Sequence, residues 1–432
     1  MSDQLRIILT EIAGDIEAIS RGDTAHRSWG LARRRRRRRA FGTAAVVAGI
    51  ALVMPWGWRQ LQPPAGSLPG SSPSMTVITT GPGGSTGPTV QGVRIDLLDL
   101  AAARRDALIV AADGVPLPEK LFVGRDHVVP ALGGGRGTTG RIGAVVLRDL
   151  GGKSFRPVFF LGGSVGGFVE ATSVTLSLVG DPVNGGTLPL GAHVVSPDGY
   201  RAGFVQDGAV VFVDVRDGSV RRVPVPATYL ERGGWSAGGT WFVAHSDTAH
   251  WRIDPANPAG PTVRPAAEVV HEGRSLVASD GETVDLLRFD DTGTVLSQRA
   301  LSPVLGTSWG DTATSAGGLV ATGTFVSPDV SNVVDVYQGL AFAGFGEHGS
   351  SEGSRILALR GTSDVPKGAF SALGWASEEV VLYRLTTHDE ALLMAWDITR
   401  GRSWVVAQLQ LNDRSGGLAL GVGLQAVAAG PG

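Results

Sequence analysis

A run of nineteen residues without a charge, Ala40 to Trp58, most restricts how this chain can fold. As a helix it would span roughly 28 Å, close to the ~30 Å hydrocarbon core of a bilayer. Seven consecutive arginines precede the run, whereas only Arg59 follows it directly. Because basic residues accumulate on the cytoplasmic side of a spanning helix, the sequence predicts a single-pass membrane protein with a cytoplasmic N-terminus and an extracytoplasmic C-terminal domain.

The residues that flank the apolar run suit the two membrane interfaces. Trp56 and Trp58 lie where an aromatic belt would anchor the outer side. The arginine run has no interleaved aromatic residues and lies next to the predicted bilayer, so we expect it to contact anionic lipid headgroups and not nucleic acid. Its members are Arg33, Arg34, Arg35, Arg36, Arg37, Arg38 and Arg39.

A cleaved export signal is the main alternative for this region. Arg38-Arg39-Ala40-Phe41 resembles the start of a twin-arginine signal, and the apolar run follows at once. Against this interpretation, 39 residues precede the run, and no small-x-small cleavage site follows Trp56-Gly57-Trp58. Under both interpretations, the same C-terminal domain is exported.

Residues 3 to 20 carry apolar side chains at three- and four-residue spacings, which is typical of an amphipathic helix. The apolar positions are Leu5, Ile8, Leu9, Ile12, Ile16 and Ile19. An isolated helix of this length is marginal in water, so its apolar stripe needs a surface. We expect it to bind a cytoplasmic protein or to lie on the inner leaflet; an unstructured tail is the alternative.

The composition divides the chain into four parts. Residues 1–39 form the cytoplasmic helix and arginine run, 40–58 the spanning helix, 59–93 a Pro/Gly/Ser-rich linker, and 94–432 the exported domain. The chain has 63 glycines and 24 prolines at 43% apolar content, which favours many short strands joined by tight turns. It has no cysteine, which excludes disulfides, thiolate nucleophiles and cysteine zinc sites.

The exported domain contains an internal repeat. The clearest unit runs from Val194 to Pro226 and alternates four strand-like segments with turns, among them Ser196-Pro197-Asp198-Gly199. Four antiparallel strands form one propeller blade. Similar turns recur at Gly238-Gly239, Asp280-Gly281, Gly317-Gly318 and Ser377-Glu378, and tryptophans mark related places at Trp235, Trp309 and Trp375. The sequence therefore predicts an all-β propeller of about six or seven blades, with blade-to-blade packing as the role of the tryptophans; a pair of β-sandwiches is the alternative.

The Ser196-to-Gly199 turn resembles the "SPDG" turn of WD40-like and TolB-like propellers, in which it precedes the second strand of a blade. The order of helix, arginine run, apolar run, linker and propeller resembles membrane-anchored propeller proteins of actinobacteria. Some members of that group look like partners of extracytoplasmic-function sigma factors, so the resemblance implies such a partner for the cytoplasmic segment. This chain departs from zinc-type anti-sigma proteins, since His26 has no cysteine partners.

Several short motifs match catalytic patterns by sequence alone. Residues 135–140 fit GxGxxG, and residues 162–166 and 349–353 fit GxSxG, but both patterns require a following helix, and strand or loop sequence follows here. Asp291-Thr292-Gly293 has no second copy, as an aspartic protease would need, and is interpreted as a hairpin turn. His245 and His250 lie on one predicted hairpin without further ligand residues, so no metal site or cofactor is predicted.

These observations favour a non-catalytic, membrane-tethered propeller that binds a protein or glycan outside the cell. The most specific version of this hypothesis is a sigma-factor regulator that acts through the N-terminal helix. Two alternatives stay open: an exported enzyme with a site on converging loops at the mouth of the propeller channel, and an envelope scaffold with an apolar-filled channel.

Overall fold

The structure is a computed structural model that describes residues 88 to 428 apart from short internal segments. Those segments are 106–107, 125, 134–139, 164–165, 181–185, 228, 237, 247–248, 256, 258–261, 267–274, 280–283, 290–294, 302, 316, 327–335, 345–353, 360–365, 367, 411–417 and 422–423. The chain divides into two compact units, Met1–Gly70 and Ser71–Gly432, and every described residue belongs to the second.

The predicted N-terminal elements lie outside the described residues. These are the amphipathic helix of residues 3–20, the arginine run, the spanning helix of residues 40–58 and most of the linker. Among residues 88–428, with the gaps given above, no helix combines the length and the apolar character needed to span a bilayer. The membrane segment therefore stays a sequence prediction.

The described part is almost entirely β, as predicted. Its helical elements are α1 (Leu100–Arg105) and a 3-10 turn (Pro303–Leu305). The N-terminal stretch forms β1 (Thr89–Val90), β2 (Val93–Leu97), β3 (Leu108–Ala112), β4 (Val115–Pro116) and β5 (Lys120–Leu121). Strands thus begin at Thr89, within the last residues of the segment 59–93 that was predicted to be a linker.

Six sheets follow one another along the chain, each built on three or four consecutive antiparallel strands, and we number them as blades 1 to 6. Blade 1 contains β6 (Ile142–Gly151), β7 (Ser154–Leu161) and β8 (Gly167–Glu170), with the short β9 (Leu176–Ser177) beside β7. Blade 2 contains β10 (Arg201–Gln206), β11 (Ala209–Asp214) and β12 (Val220–Pro224). Blade 3 contains β13 (Arg232–Trp235), β14 (Phe242–His245), β15 (His250–Asp254) and β16 (Thr262–Ala266).

The remaining blades repeat this up-and-down order. Blade 4 contains β17 (Ser275–Ser279), β18 (Val284–Phe289) and β19 (Val295–Leu301). Blade 5 contains β20 (Thr307–Thr314), β21 (Leu319–Phe325), β22 (Gln338–Gly344) and β23 (Arg355–Ala358). Blade 6 contains β24 (Phe370–Trp375), β25 (Val380–Thr386), β26 (Ala391–Asp397) and β27 (Arg402–Leu409).

The two ends of the chain complete blades that the middle of the chain begins. β28 (Leu418–Leu420) pairs antiparallel with β6 and supplies the fourth main strand of blade 1. β2 adds to blade 5 parallel to β23, and β5 adds to blade 6 parallel to β27. β29 (Leu424–Ala428) forms a separate small sheet with β3 and β4. The last blade is thus joined to the first, as in a closed propeller.

Blade 2 matches the predicted repeat unit closely. Val195 forms a β-bridge with Ala202, so the residues before the Ser196-to-Gly199 turn are the inner strand of this blade. The turn is closed by the amide of Gly199, which donates to the carbonyl of Ser196 at 2.8 Å. Gly199 has a φ of +78°, a conformation that favours glycine.

Two of the three marker tryptophans join neighbouring blades, as predicted. The indole nitrogen of Trp235 donates to the carbonyl of Val194 in blade 2, and that of Trp375 donates to the carbonyl of Ala313 in blade 5, each at 3.0 Å. Trp235 also packs edge-to-face on Phe212 and Phe242 in the core between blades 2 and 3. The side chain of Trp309 lies outside the described residues.

The catalytic-looking motifs occupy strand connections. The stretch 135–140 is followed by β6, and the stretch 162–166 is followed by β8, so the helix that each motif requires is replaced by a strand. Residues 291–293 fall outside the described part, between the antiparallel strands β18 and β19. The second GxSxG match, 349–353, also lies outside it.

Candidate functional site at the centre of the ring

A cavity of about 280 Å³ lies where the inner strands of blades 2 and 3 begin. Its first wall is the stretch 187–194, which leads into the inner strand of blade 2. Its second wall is the stretch 231–233, which contains Glu231 and the first two residues of β13; Val205 of β10 also lines the cavity. A Cβ placed on Gly191 would lie 3.4 Å from the carbonyl oxygen of Gly233, so the two walls are close together. We call this space the inner cavity.

The first wall is fixed at both of its ends. The amide and carbonyl of Thr187 bond to the carbonyl and amide of Val179, at 2.8 and 2.9 Å. At the other end, the main-chain amide of Trp235 donates to the carbonyl of His193 at 2.9 Å, beside the indole bond to Val194. Pro189 restricts the backbone between these ends and is buried. The wall is therefore held in place by both neighbouring blades.

Between its fixed ends the first wall has free main-chain groups. Within the part of the chain that the structure describes, the main-chain amides and carbonyls of Leu188, Leu190 and Gly191 form no hydrogen bond. All three residues are half-buried. Because half-buried polar groups need water or a ligand as partner, this stretch offers donors and acceptors to a molecule in the cavity.

His193 connects the first wall to the far side of the ring. Its Nε2 lies 2.7 Å from the main-chain carbonyl oxygen of Thr312 in β20 of blade 5. A carbonyl can only accept, so Nε2 carries the proton in this contact. Two blades separate blade 2 from blade 5 in either direction around the ring. His193 therefore spans the centre and limits the depth of the inner cavity.

Two charged residues lie on the second wall. Glu231 and Arg232 are both exposed, and the main-chain amide of Glu231 donates to the carbonyl of His245 at 2.8 Å. The side chain of Arg232 forms no hydrogen bond, ion pair or ring contact with the described residues. Because side chains alternate along a strand and a Cβ on Gly233 would point toward Val205, the side chain of Arg232 lies on the face of β13 that is turned away from the cavity.

The predicted histidine pair lies beside this wall. His245 and His250 face each other across β14 and β15, and their Nδ1 atoms are 2.6 Å apart, so one ring donates and the other accepts. Arg232 is the register partner of His245 on the other side of β14. Among the described residues no third histidine, aspartate or glutamate joins them to form a metal-binding group.

The lining of the cavity combines polar and apolar residues. Thr187, His193 and Glu231 are polar lining residues, and the hydroxyl of Thr187 lies 3.5 Å from the carbonyl oxygen of Val179. Pro189, Ala192, Val194 and Val205 give the cavity buried apolar surface. A cavity with apolar walls and with main-chain groups that form no hydrogen bond to the described residues can hold an amphipathic ligand group.

Two aspartates with a lowered pKa, Asp198 and Asp113, lie in turns outside the inner cavity. Burial acts to raise the pKa of Asp198, but bonds from Ser196, the Tyr200 amide and Arg201 outweigh it and lower that pKa. The guanidinium of Arg141 donates to Asp113 and holds the pKa of that carboxyl below its usual value. These carboxylates stabilise turns and do not line the inner cavity.

The structure tests none of the site residues that the sequence predicted. The apolar stripe from Leu5 to Ile19, the arginine run and the pair Trp56 and Trp58 all lie outside the described residues. Conversely, sequence reasoning missed His193 and the stretch 188–191. The one available signal was position: both walls lie at the start of an inner strand, and the facing residues Gly191 and Gly233 are 42 residues apart in the chain.

The sequence matches no known family and no curated protein sequence. In structure, the chain is similar to TolB from Acinetobacter baumannii, with 15% identity over 67% of each chain and a TM-score of 0.41. It is also similar to a chain of a nidogen/laminin complex (8% identity, 65% of this chain, 98% of that one, TM-score 0.39) and to the C-terminal WD40 domain of Sif2 (9% identity, 64% of this chain, 75% of that one, TM-score 0.33). The likeness concerns the β-propeller fold alone.

Proposed function

We propose that this chain is a non-catalytic binding module whose extracytoplasmic ligand, a protein or a glycan, docks at the inner cavity. The main-chain groups of Leu188, Leu190 and Gly191, which form no hydrogen bond within the described part of the chain, are the observation that supports a binding role. A scaffold with an apolar-filled centre needs none of these groups.

The proposal includes a membrane tether and a cytoplasmic partner. Its support is the sequence order of amphipathic helix, Arg33–Arg39 and the uncharged run Ala40–Trp58. More specifically, we propose that the N-terminal apolar stripe binds a sigma factor and that the chain regulates this factor. A single helix can link the two sides only if ligand binding changes clustering or makes the tail accessible to proteolysis.

Site-specific photo-cross-linking tests the binding role. A benzophenone amino acid is introduced at Thr187, which is exposed on the cavity wall, in the full chain expressed in its own cells. Glu379, exposed in the turn between β24 and β25, is the matched control. We expect a protein or glycan adduct from position 187 only. Equal adducts at both positions, or none at position 187, would contradict docking at the inner cavity.

Co-purification tests the cytoplasmic partner. The full chain is compared with a variant carrying Ile8→Asp and Ile12→Asp, which place charges on the predicted apolar stripe. We expect a sigma factor to co-purify with the unmodified chain and to be lost from the variant. If no sigma factor is recovered with either chain, this part of the proposal fails, while the cross-linking result stands independently.

A further inference from the structure

We infer that residues 74–80 of the linker dock on the outer edge of blade 4 and supply its fourth strand. This attachment lies on the outer rim of the ring and does not involve the inner cavity. Three observations support it: an open sheet edge, the course of the N-terminal stretch along other blades, and the sequence that precedes β1. Only residues 59–73 then remain as a free tether between the predicted spanning helix and the propeller.

Blade 4 has an open outer edge. It has three described strands, whereas blades 3, 5 and 6 each have four that follow one another in the chain. Its strand β17 lies next to β20, the inner strand of blade 5, so β19 is the outer strand. One edge of β19 pairs with β18, and no strand among the described residues pairs with the other edge. Because an unpaired edge presents main-chain donors and acceptors in a row, it can accept a further strand.

The N-terminal stretch covers the outer edges of three successive blades. β2 pairs parallel with β23 of blade 5, and β5 pairs parallel with β27 of blade 6. Further along, Ala131 forms a parallel bridge with Glu170 in β8 of blade 1. Blades 5, 6 and 1 are thus met in the order in which they follow one another around the ring. The same course, extended backwards by one blade, brings the residues before β1 to blade 4.

The direction of these segments also fits the open edge. Each of the three runs parallel to the fourth strand of its blade. Since neighbouring strands alternate in direction within a blade, a segment of the same direction would lie antiparallel to β19, which is the third strand of blade 4. It would therefore occupy the position that the fourth strand has in the other blades.

The chain enters β1 beside the junction of blades 4 and 5. β1 is the outermost strand of the sheet of blade 5. Val90 and Val93 pack in one apolar cluster with Leu301, the last residue of β19, and with Val304 in the turn that follows. Residues 81–88 extend over up to about 26 Å, which exceeds the roughly 10 Å between packed sheets. The connection is therefore long enough to join β1 to the edge of blade 4.

The sequence before this connection is typical of a strand. Residues 74–80 read Ser-Met-Thr-Val-Ile-Thr-Thr, and five of the seven are β-branched. Pro73 precedes the run and Gly81-Pro82 follows it, so turn residues limit it on both sides. β19 also has seven residues, which allows pairing along its whole length. Because the run belongs to the same chain, its effective concentration at the edge is on the order of millimolar, which favours it over a free partner.

Hydrogen exchange of the β19 amides in the detergent-solubilised full chain tests this docking. Ile78→Pro removes a main-chain donor from the segment and should speed this exchange by at least about tenfold, since the edge of β19 becomes open to solvent. Ser85→Pro, in the connection to β1, is the matched control and should leave the exchange of β19 unchanged. Equal exchange of the β12 amides in all three chains confirms that the fold is intact.

Three results would overturn the assignment. Exchange of β19 that is equally fast in the original chain and in Ile78→Pro shows that nothing covers the edge. Slow exchange that persists in Ile78→Pro shows that another segment or molecule covers it. Slow exchange that depends on protein concentration identifies a second copy of the chain as the occupant.

Two cysteine pairs test the direction of the segment in a chain that has no cysteine of its own. Thr76→Cys and Thr80→Cys are each combined with Ala300→Cys, which lies at an exposed position near the end of β19. Antiparallel docking places position 76 near position 300 and position 80 about 13 Å further along the strand. A short bis-maleimide should therefore cross-link the first pair and not the second. Cross-linking of the second pair alone, of both pairs equally or of neither contradicts the antiparallel docking.

Discussion

Trp235 donates its indole N–H to the carbonyl of Val194 at 3.0 Å, and this bond joins blade 3 to the wall of the inner cavity. The Val194 carbonyl also accepts the amide of Gly203, so it has two donors from two blades. Arg201 stacks on the same indole, with its guanidinium carbon 4.8 Å from the ring centroid. Trp235 therefore contacts the core between blades 2 and 3, the wall of the inner cavity and Arg201.

Trp235→Phe should destabilise the chain by about 2–3 kcal/mol, because it removes a buried hydrogen bond and leaves a void in a packed core. Trp375→Phe is the matched control: it removes the equivalent bond to Ala313, but from a half-buried ring, so a smaller loss of about 1 kcal/mol is expected. Urea unfolding measures both. Equal losses would show that burial of the indole does not set the cost.

Gly199→Ala tests the turn that carries the repeat signature. A Cβ at this position would lie 3.0 Å from the Cβ of Arg141, and the φ of +78° is unfavourable for alanine. Gly92 has a similar φ of +81° but open space around it, so Gly92→Ala measures the conformational cost alone, about 1–2 kcal/mol. We expect Gly199→Ala to cost at least about 1 kcal/mol more in thermal unfolding, because of overpacking. Identical costs would contradict the close approach.

The ion pair of Asp113 and Arg141 predicts an acid-dependent part of the stability. The bond from Arg141 lowers the pKa of Asp113 in the folded chain, so the pair stabilises the fold above the unfolded carboxyl pKa of about 3.9. This contribution is lost as the pH falls through the lowered folded value. Because both side chains are partly exposed, it should not exceed about 1 kcal/mol.

Asp113→Asn provides the comparison, since asparagine tolerates the φ of +46° at this turn position. The stability difference between the original chain and the variant should be constant from about pH 7 to 5 and shrink toward zero below about pH 4. Urea midpoints across this range measure it. A difference that persists unchanged at pH 3 would assign the effect to the turn and not to the ion pair.

The absence of cysteine makes the membrane topology directly testable. Asp389→Cys, at an exposed position of the β25–β26 turn, should react with a membrane-impermeant maleimide in intact cells. Ser28→Cys, in the predicted cytoplasmic segment, should react only after the cells are permeabilised. Labelling of both positions in intact cells would contradict the predicted topology.

The sequence predicts the repeating parts of the fold because their signals are local. Ser196 and Ser236 are forty residues apart, and in both turns the serine amide donates at 2.8 Å to the carbonyl five residues later, that of Arg201 and that of Trp241. Such turns need glycine at a defined position, which composition and spacing reveal. Trp235 and Trp375 likewise mark repeat positions and join neighbouring blades, as expected.

Other features have no local signal. The parallel pairing of Arg94 with Arg355 and the antiparallel pairing of Leu418 with Val146 join residues that are distant in the chain. Nothing in either short strand specifies its partner. The inner cavity was missed for a different reason. Its defining groups at Leu190 and Gly191 are main-chain amides, which every residue except proline possesses. They are distinguished only by having no hydrogen-bond partner among the residues that the structure describes.

The strand from Leu418 to Leu420 also sets an order of events in folding. Blade 1 begins at Ile142, yet it lacks its inner strand until almost the whole chain has been synthesised or, if the domain is exported, translocated. Closing a contact across such a long stretch of chain is slow, and until then β6 has an open edge that can pair with other strands. The middle blades can form early, but the ring stays open until its last strand arrives, so the C-terminal residues decide when the folded domain is complete.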